Sequence, residues 1–410
     1  MKILHTADWH LGDRLGRIDR TMDLRRAVER VAAYCKREKV DVLIVAGDLF
    51  SELSRADALR ETIHHWQDVF TEFMANGGTI LTCTGNHDNE NFCQTLYHAM
   101  SLAAPMLGLP GERIHPGRFY LAADPTFLTL HDPRENFDVQ FALMPYPTST
   151  RYLKGEQNQK YVSPEEKNRL LVLAFEQALT EIGQHANYRR DVPSILAAHV
   201  HVHGANIGPN LFRMTEEEDI LVNDKGMSER FAYVALGHIH KPQFLGGCEN
   251  VRYSGSIEKM DLGEASDIKG VVLFEIGAKG LVGELNILPM PSTPIYEVAV
   301  MNPSEDIPRL RIDAEDSSED LVNLHIRYKA GDDHLEEILR DLDRIYPRWY
   351  ARDWVETTKL SPTLVPADAA RNLSFGETVR DYVSVELTNH DEADKAAIVE
   401  RLNQLIDEMP

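Results

Sequence analysis

The stretch "VDVLIVAGD" at residues 40–48 decides the fold. It is a nearly continuous run of apolar, largely β-branched residues that ends in a glycine and a carboxylate. Such a run is typical of a strand buried on both faces of a parallel sheet. Similar runs lie at 1–8 and 79–85, and apolar residues at helical spacing predict helices over 23–39 and 55–76. The resulting βαβαβ order predicts an α/β fold with parallel strands and right-handed crossovers.

Polar residues follow these strands where each one ends. In an open α/β sheet, the carboxyl ends of parallel strands converge on one crevice, so residues far apart in sequence meet there. Two later strands, in "SILAAHV" and "FAYVALGHIH", also end at histidines. The candidate metal ligands at these five strand ends are Asp8, His10, Asp48, Asn86, His199, His238 and His240.

These candidate ligands are carboxylates, imidazoles and one amide, without cysteine. That set suits Mn²⁺, Fe²⁺ or Zn²⁺ rather than a thiolate-rich structural zinc site. Seven ligands are too many for one ion that must keep an open position, so we expect two ions with Asp48 as the bridging ligand. Two ions about 3.5–4 Å apart clamp the attacking and leaving oxygens of a phosphoryl displacement.

His87 lies between the proposed ligand Asn86 and the carboxylate of Asp88. A histidine beside a carboxylate is held in one tautomer with a raised pKa, which suits a proton donor. We therefore interpret His87 as a catalytic acid or transition-state stabiliser and Asp88 as the group that orients it. Taken alone, "GNHD" is also compatible with a turn, and the metal interpretation depends on the five strand ends together.

Several other polar residues leave alternatives open. His201 and His203 are either an extra ligand or residues with solvent and loop contacts. Arg14, Arg17 and Arg20 either meet a phosphate backbone or form a solvated face. His5, inside the first strand, is expected to be a core histidine with satisfied hydrogen bonds.

Composition limits the class of protein. The chain has 410 residues and a formal net charge of −22, which argues against nonspecific coating of nucleic acid. No stretch of 18 uncharged apolar residues predicts a membrane span. The four cysteines show no disulfide or CxxC spacing, which favours a reducing, cytoplasmic location.

The rest of the chain predicts further elements. Short strands over 112–148 indicate a second, partly antiparallel sheet, and Ser163, Pro164 and Glu166 predict the start of a helix over 163–184. Residues 204–227 are expected to form a long loop. A Pro/Ser-rich stretch near 286–295 marks a boundary, after which the pattern predicts a small αβ domain and two terminal helices.

Five motifs together resemble the calcineurin-like metallophosphoesterases: "DWHLG" (8–12), "GDLF" (47–50), "GNHD" (85–88), a strand-ending histidine at 199 and "GHIH" (237–240). Their surroundings resemble, more closely, the SbcD/Mre-type DNA repair nucleases. The resemblance implies a two-sheet αββα sandwich over 1–290, a capping domain that recognises DNA over 291–360, and a helical ATPase-binding segment over 361–410. Ser51 stands where some members of the family carry a second histidine.

The resemblance also implies the chemistry and the partners. Asp8, His10 and His240 would hold one Mn²⁺ ion, and Asn86, His199 and His238 the other. The substrates would be double-stranded DNA ends and hairpins. The partner would be an SbcC-like coiled-coil ATPase, with the nuclease as a homodimer within a nucleoid-associated, cytoplasmic heterotetramer. The alternative is a phosphatase or small-molecule phosphodiesterase on the same metal core; a scaffold without catalytic activity is the third possibility.

Overall fold

A computed structural model describes residues 1–51, 56–103, 113–114, 118–153, 163–207, 220–223, 226–314, 317–357, 398 and 401. The chain divides into one unit of Met1–Arg327 with Asp333–Trp354 and another of Tyr328–Asp332 with Val355–Pro410. Within the second unit, the backbone N–H of Thr357 donates to the carbonyl of Tyr328 at 2.6 Å. The predicted helical segment 361–410 lies outside the described residues, apart from 398 and 401.

The first sheet contains the predicted βαβαβ unit. Its parallel strands are β1 (Lys2–Thr6), β4 (Val42–Val45), β5 (Thr79–Cys83) and β7 (Phe119–Ala122). Two antiparallel strands extend the other edge: β16 (Gly270–Gly277) and β17 (Gly280–Pro289). The order across the six strands is β17-β16-β1-β4-β5-β7. A short hairpin of β2 (Arg14–Leu15) and β3 (Ile18–Asp19) follows the end of β1.

The second sheet has seven strands in the order β14-β15-β13-β10-β9-β8-β6. Along the chain these are β6 (Arg113–Ile114), β8 (Thr126–Asp132), β9 (Phe137–Met144), β10 (Ser194–His199), β13 (Tyr233–Gly237), β14 (Gln243–Leu245) and β15 (Cys248–Tyr253). β9, β10, β13 and β15 are parallel, and β6 is parallel to β8, whereas β8 pairs antiparallel with β9 and β14 pairs antiparallel with β15. The expectation of a partly antiparallel second sheet is confirmed.

The two sheets pack face to face, with helices on both outer faces. The core between the sheets joins residues such as Ile3 and Ile44 to Phe141 and Ile195. The helices α1 (Thr21–Glu38), α2 (Ala56–Ala75) and α3 (Glu90–Ala103) contribute apolar residues to the outer core of the first sheet. The helices α4 (Ser149–Tyr152), α5 (Pro164–Gln184) and α6 (Met227–Arg230) do so on the second. This is the expected αββα sandwich, and the Ser163 side chain caps α5 by accepting from Glu166 N–H at 3.3 Å.

A third sheet of three strands follows the sandwich in sequence. It consists of β18 (Ile295–Val300), β19 (Leu321–Tyr328) and β20 (Trp349–Glu356), with helices α7 (Pro303–Asp313) and α8 (Leu335–Ile345). Ile338 and Leu342 of α8 are buried. The domain boundaries at 290 and 360 stay predictions. Among the described residues no helix is both long enough and apolar enough to cross a membrane.

The segment 204–227 is not a loop throughout, and that expectation is wrong in part. Leu221–Val222 forms strand β12, which pairs in parallel with β11 (His201–Val202). The backbone N–H of His203 donates to the carbonyl of Val222 at 2.8 Å. Ile220 and Val222 are buried, so this strand is formed by a few apolar residues within an otherwise polar segment.

The three arginines after the first motif have different surroundings. Arg20 is fully buried; its guanidinium donates to Asp23 at 2.6 Å and lies 3.8 Å from Glu258. It therefore forms neither a solvated face nor a phosphate contact. Arg17 donates to the backbone carbonyl of Trp349 at 2.8 Å and covers the Trp349 ring, whereas the Arg14 side chain is 51% exposed.

We predict that Arg20→Ala lowers the free energy of unfolding by about 3–5 kcal/mol, because it removes the buried cation that is paired with Asp23 and Glu258. The exposed Arg14→Ala is the matched control, and it should change stability by only about 0–1 kcal/mol. Urea denaturation of both variants measures the difference. Equal, small losses would contradict a structural role for Arg20.

Candidate metal centre

Strand ends from both sheets bring predicted ligands together. Ligand atoms of Asp8, His10 and His240 all lie within 4.8 Å of one another, and so do those of Asp8, Asp48 and His199. The Nε2 atoms of His10 and His240 are 3.0 Å apart although 230 residues separate them in sequence. The sheet sandwich therefore converts five distant motifs into one cluster.

Asn86 connects the two histidines that end the strands of the second sheet. Its amide oxygen lies 3.0 Å from Nε2 of His199 and 2.9 Å from Nδ1 of His238. The rings of these two histidines meet edge to face, with centroids 5.2 Å apart. The predicted ligands thus form two adjoining groups, one around His10 and His240 and one around Asn86.

The carboxylate of Asp48 lies between the two groups. Its Oδ2 is 3.2 Å from Nε2 of His199 and 3.7 Å from Nε2 of His10. Its Oδ1 accepts a hydrogen bond from the backbone N–H of His87 at 2.8 Å. This position suits a ligand shared by two ions, and the bridging role stays a prediction.

The backbone is strained at the same positions. Asp8, His10, Asp48 and His238 have φ values of 53°, 45°, 50° and 97°. Residues other than glycine rarely adopt this left-handed backbone conformation, and each such residue costs about 1–3 kcal/mol. Only two other described residues that are not glycine, Lys39 and Asn136, share it. The strain is therefore concentrated at the centre, as is common at functional sites.

Hydrogen bonds behind the histidines fix their rings. Nδ1 of His199 donates to the backbone carbonyl of Ala46 at 2.8 Å. Nδ1 of His240 lies 2.7 Å from Oε1 of Glu264, and Glu264 is paired with Lys269 at 2.6 Å. Partners of this kind set which ring nitrogen faces a metal. Sequence reasoning missed Glu264 and Lys269, because neither follows a strand end or belongs to a recognisable motif.

Burial and opposite charge set the ionisation of the centre. Burial alone would raise the pKa of Asp48, but His199 and His10 outweigh it and hold that pKa well below its usual range. Conversely, burial lowers the pKa of His199, while Asp48 and Asp8 together raise it to about 9. Burial also raises the pKa of Asp8 and lowers that of His10. The metal-free centre therefore carries a proton on His199 at neutral pH.

The donor atoms fit divalent cations. Oδ2 of Asp8 is buried and has no hydrogen-bond partner among the described residues. An unpaired carboxylate oxygen away from water is costly, and a bound cation would remove that cost. The surrounding donors are carboxylate, amide and imidazole atoms, which suit hard or borderline divalent metals.

His87 and Asp88 lie beside the ligands but make different contacts. The ring centroid of His87 is 5.1 Å from that of His10. The Asp88 carboxylate accepts from the backbone N–H groups of Gly85 and Phe50, both at 2.8 Å. The Asp88 carboxylate therefore joins the turn after β5 to the turn after β4. Its burial, and to a smaller extent the negative charge of Asp48, raise the pKa of Asp88 to about 6. That Asp88 orients His87 stays a prediction.

Other histidines have separate surroundings. His5 is fully buried, with Nδ1 2.9 Å from the Tyr233 hydroxyl and Nε2 3.2 Å from a backbone carbonyl, so it is the expected core histidine. His201 is buried, and its ring centroid is 6.5 Å from that of His238. His203 is exposed.

Ser51 is buried beside the turn after β4. Its hydroxyl donates to Oδ1 of Asp13 at 2.9 Å, and its backbone N–H donates to the carbonyl of Leu11 at 3.0 Å. Both contacts join this turn to the segment that follows β1. The serine therefore has a structural function in the turn.

The family comparison decides the class of protein. The Calcineurin-like phosphoesterase family matches residues 1–242, more than half of the chain. The chain belongs to this family. The predicted αββα sandwich is confirmed, and the cluster of buried aspartates and histidines at the strand ends is the candidate metal centre of this phosphoesterase.

Similar proteins with assigned names narrow the comparison from the family to one kind of nuclease subunit. The chain is 26% identical over 281 residues to the D subunit of the SbcCD nuclease of Bacillus subtilis, covering 67% of this chain and just under two thirds, 66%, of that protein. It is 25% identical over 363 residues to the protein of the same name in Staphylococcus epidermidis, covering 85% and 83%. This phosphoesterase is therefore a distant homologue of these nuclease subunits.

Two solved structures also match. They are TT1561 of Thermus thermophilus, 15% identical with a TM-score of 0.34, and a dimetal phosphatase from Danio rerio, 11% identical with a TM-score of 0.37. The matches cover 70% and 71% of this chain and 98% and 99% of those chains. Scores this low add nothing to the family assignment.

We predict that metal affinity rises with pH. His199 is protonated below its pKa of about 9 in the metal-free chain, and a metal binds only the neutral ring, so binding releases that proton. Between pH 6 and 8 the Mn²⁺ affinity should rise about tenfold per pH unit for each proton released. Isothermal titration in buffers of different ionisation enthalpy measures both quantities. An affinity that is flat over this range would contradict the ionisation assigned to His199.

Proposed function

We propose that this phosphoesterase is a metal-dependent DNA nuclease of the SbcD type that hydrolyses phosphodiester bonds at double-strand ends and hairpins. One observation supports this choice above the others. The alignment with the Staphylococcus epidermidis nuclease subunit covers 85% of the chain, whereas the phosphoesterase family match ends at residue 242. The similarity thus continues beyond the catalytic sandwich that phosphatases of the family would share.

We infer that two divalent ions bind in the two adjoining groups. Asp8, His10 and His240 would hold one ion, and their ligand atoms lie within 4.8 Å of one another. The second ion would be held by Asn86, His199 and His238, and Asp48 would bridge. When bound, two such ions neutralise the phosphodiester and clamp its attacking and leaving oxygens. Mn²⁺ is the proposed metal.

His87 is the proposed proton donor to the leaving oxygen. Its backbone N–H is held by Asp48 at 2.8 Å, so the side chain extends from a fixed point beside the ligands. The residue is only 6% exposed, which keeps bulk water from competing for the proton. A positioned acid of this type contributes about 10²–10⁴-fold to the rate.

The partner and location follow from the same proposal. The chain would act with an SbcC-like coiled-coil ATPase, as a homodimer within a heterotetramer at the cytoplasmic nucleoid. The unit over 291–360 would recognise DNA, and residues 361–410 would bind the ATPase. With a net charge of −22, the chain needs a partner or bound metal to supply positive charge for DNA.

We predict that the metal-depleted chain cleaves end-labelled duplex and hairpin DNA only after Mn²⁺ is added, and faster with an SbcC-like ATPase and ATP. Asp48→Asn should remove cleavage, because the variant lacks the charge between the two ion positions. Gel analysis of the DNA products measures the activity. Hydrolysis of bis-p-nitrophenyl phosphate without any DNA cleavage would instead support a phosphatase or small-molecule phosphodiesterase.

We predict that His87→Ala lowers DNA cleavage by about 10²–10⁴-fold and leaves the number of bound Mn²⁺ ions unchanged. Hydrolysis of bis-p-nitrophenyl phosphate should fall much less, because p-nitrophenolate leaves without a proton. His64→Ala is the control, since that side chain is 76% exposed on α2. An equal loss on both substrates, or loss of a metal ion, would show that His87 is not the acid.

A further inference from the structure

A buried ion pair lies directly behind the metal centre. Glu264 and Lys269 are 6% and 2% exposed, and Nζ of Lys269 is 2.6 Å from Oε2 of Glu264. Glu264 is the last residue of a short 3-10 helix over Leu262–Glu264. A buried ion pair is poor evidence for added stability, because desolvation of both charges offsets their attraction. Its contacts with the centre are therefore more informative than its strength.

The two oxygens of Glu264 have different partners. Oε2 receives two donors, Nζ of Lys269 and the Met260 backbone N–H at 3.2 Å. It also lies 3.0 Å from the Ser256 hydroxyl, which is 2.8 Å from the backbone carbonyl of Glu258. Oε1 lies 2.7 Å from Nδ1 of His240. The donors on Oε2 keep the group in its acceptor form, so the proton of the second contact belongs to His240 Nδ1.

Lys269 makes a second contact with the same histidine, through its backbone. Its Nζ donates to the backbone carbonyl of His240 at 2.9 Å. Glu264 thus holds the ring of His240 and Lys269 holds its peptide group. With the proton on Nδ1, Nε2 presents its lone pair, and this atom is 3.0 Å from Nε2 of His10.

We propose that Glu264 is a positioning residue for the metal centre: it keeps the His240 proton on Nδ1 and directs Nε2 toward the ion held with Asp8 and His10. The proposal rests on the two-metal centre of the proposed function and not on DNA as its substrate. Partners of this kind typically change metal affinity by about 10–100-fold when removed.

The effect is confined to one of the two ion positions. His199, in the second group, is oriented by the backbone carbonyl of Ala46 at 2.8 Å, which is independent of Glu264. A change at Glu264 therefore weakens the ion bound by His240 and leaves the other in place. A general loss of structure would weaken both.

The test is a Mn²⁺ titration of the metal-depleted full chain carrying Glu264→Gln, which keeps the size of the side chain and removes its charge. Glu258→Gln is the matched control, since Glu258 is a glutamate only 3% exposed whose carboxylate contacts Thr293. We expect two ions in the wild type and in the control. In Glu264→Gln one ion should bind about 10–100-fold more weakly, with loss of the spin-coupled Mn²⁺ pair signal in electron paramagnetic resonance.

Two ions bound by Glu264→Gln with wild-type affinities would overturn the proposal, and so would the same weakening in Glu258→Gln. A second measurement uses the wild type, so it does not depend on whether a variant folds. Long-range ¹H–¹⁵N spectra of the metal-free wild type, recorded at a pH where the His240 ring is neutral, should show its proton on Nδ1, and a neutral ring protonated on Nε2 would overturn the proposal. Neither readout uses DNA, so an absence of nuclease activity leaves the result intact and counts against the proposed function alone.

Discussion

Asp48 is the residue on which the arrangement of the centre depends most, because its peptide group and its carboxylate each join separate strand ends. Its carbonyl oxygen accepts from the backbone N–H groups of Trp9 and His10 at 2.8 and 3.0 Å, which fixes the segment after β1. Its Oδ1 accepts from His87 in the turn after β5, and its Oδ2 lies 3.2 Å from His199 at the end of β10. The backbone of Asp48 is left-handed, which costs about 1–3 kcal/mol, and these contacts together offset that cost.

The same constraint explains the small residues around the centre. A Cβ atom on Gly85 would lie 2.0 Å from Oδ1 of Asp48, and one on Gly47 would lie 2.1 Å from Nδ1 of His199. Gly47 also has a φ of +88°, where a side chain is strained. Gly47 therefore lets His199 of the second sheet approach the end of β4, and Gly85 lets the turn after β5 approach the carboxylate of Asp48. The apolar core between the sheets, with Ile44 among its residues, holds that approach in place.

Most of the sandwich and all of the proposed ligands were predictable from sequence, because nearly continuous apolar runs indicate buried strands and the ligands lie at their ends. The parts that escaped prediction are polar residues buried in irregular segments. Arg20 reads as a surface arginine until its partners are known, and Glu264 lies among other acidic residues in a stretch without periodicity. Asp88 reads as the neighbour of His87, yet its carboxylate accepts backbone N–H groups from two turns. Sequence spacing carries no information on such pairings, because they depend on how distant turns meet.

The charge of the centre also bears on how an acidic chain accommodates an anionic substrate. Without metal, the carboxylates of Asp8 and Asp48 face a positively charged His199, while Glu264 is balanced by Lys269. On the proposed function, two divalent ions would add four positive charges to this cluster and would make the local field strongly positive. A phosphodiester would therefore be attracted more strongly to the loaded centre than to the empty one. By thermodynamic reciprocity, a bound phosphodiester would then strengthen metal binding by the same factor by which the metal strengthens phosphodiester binding. Metal affinity measured without substrate would accordingly be a lower bound on the affinity during turnover.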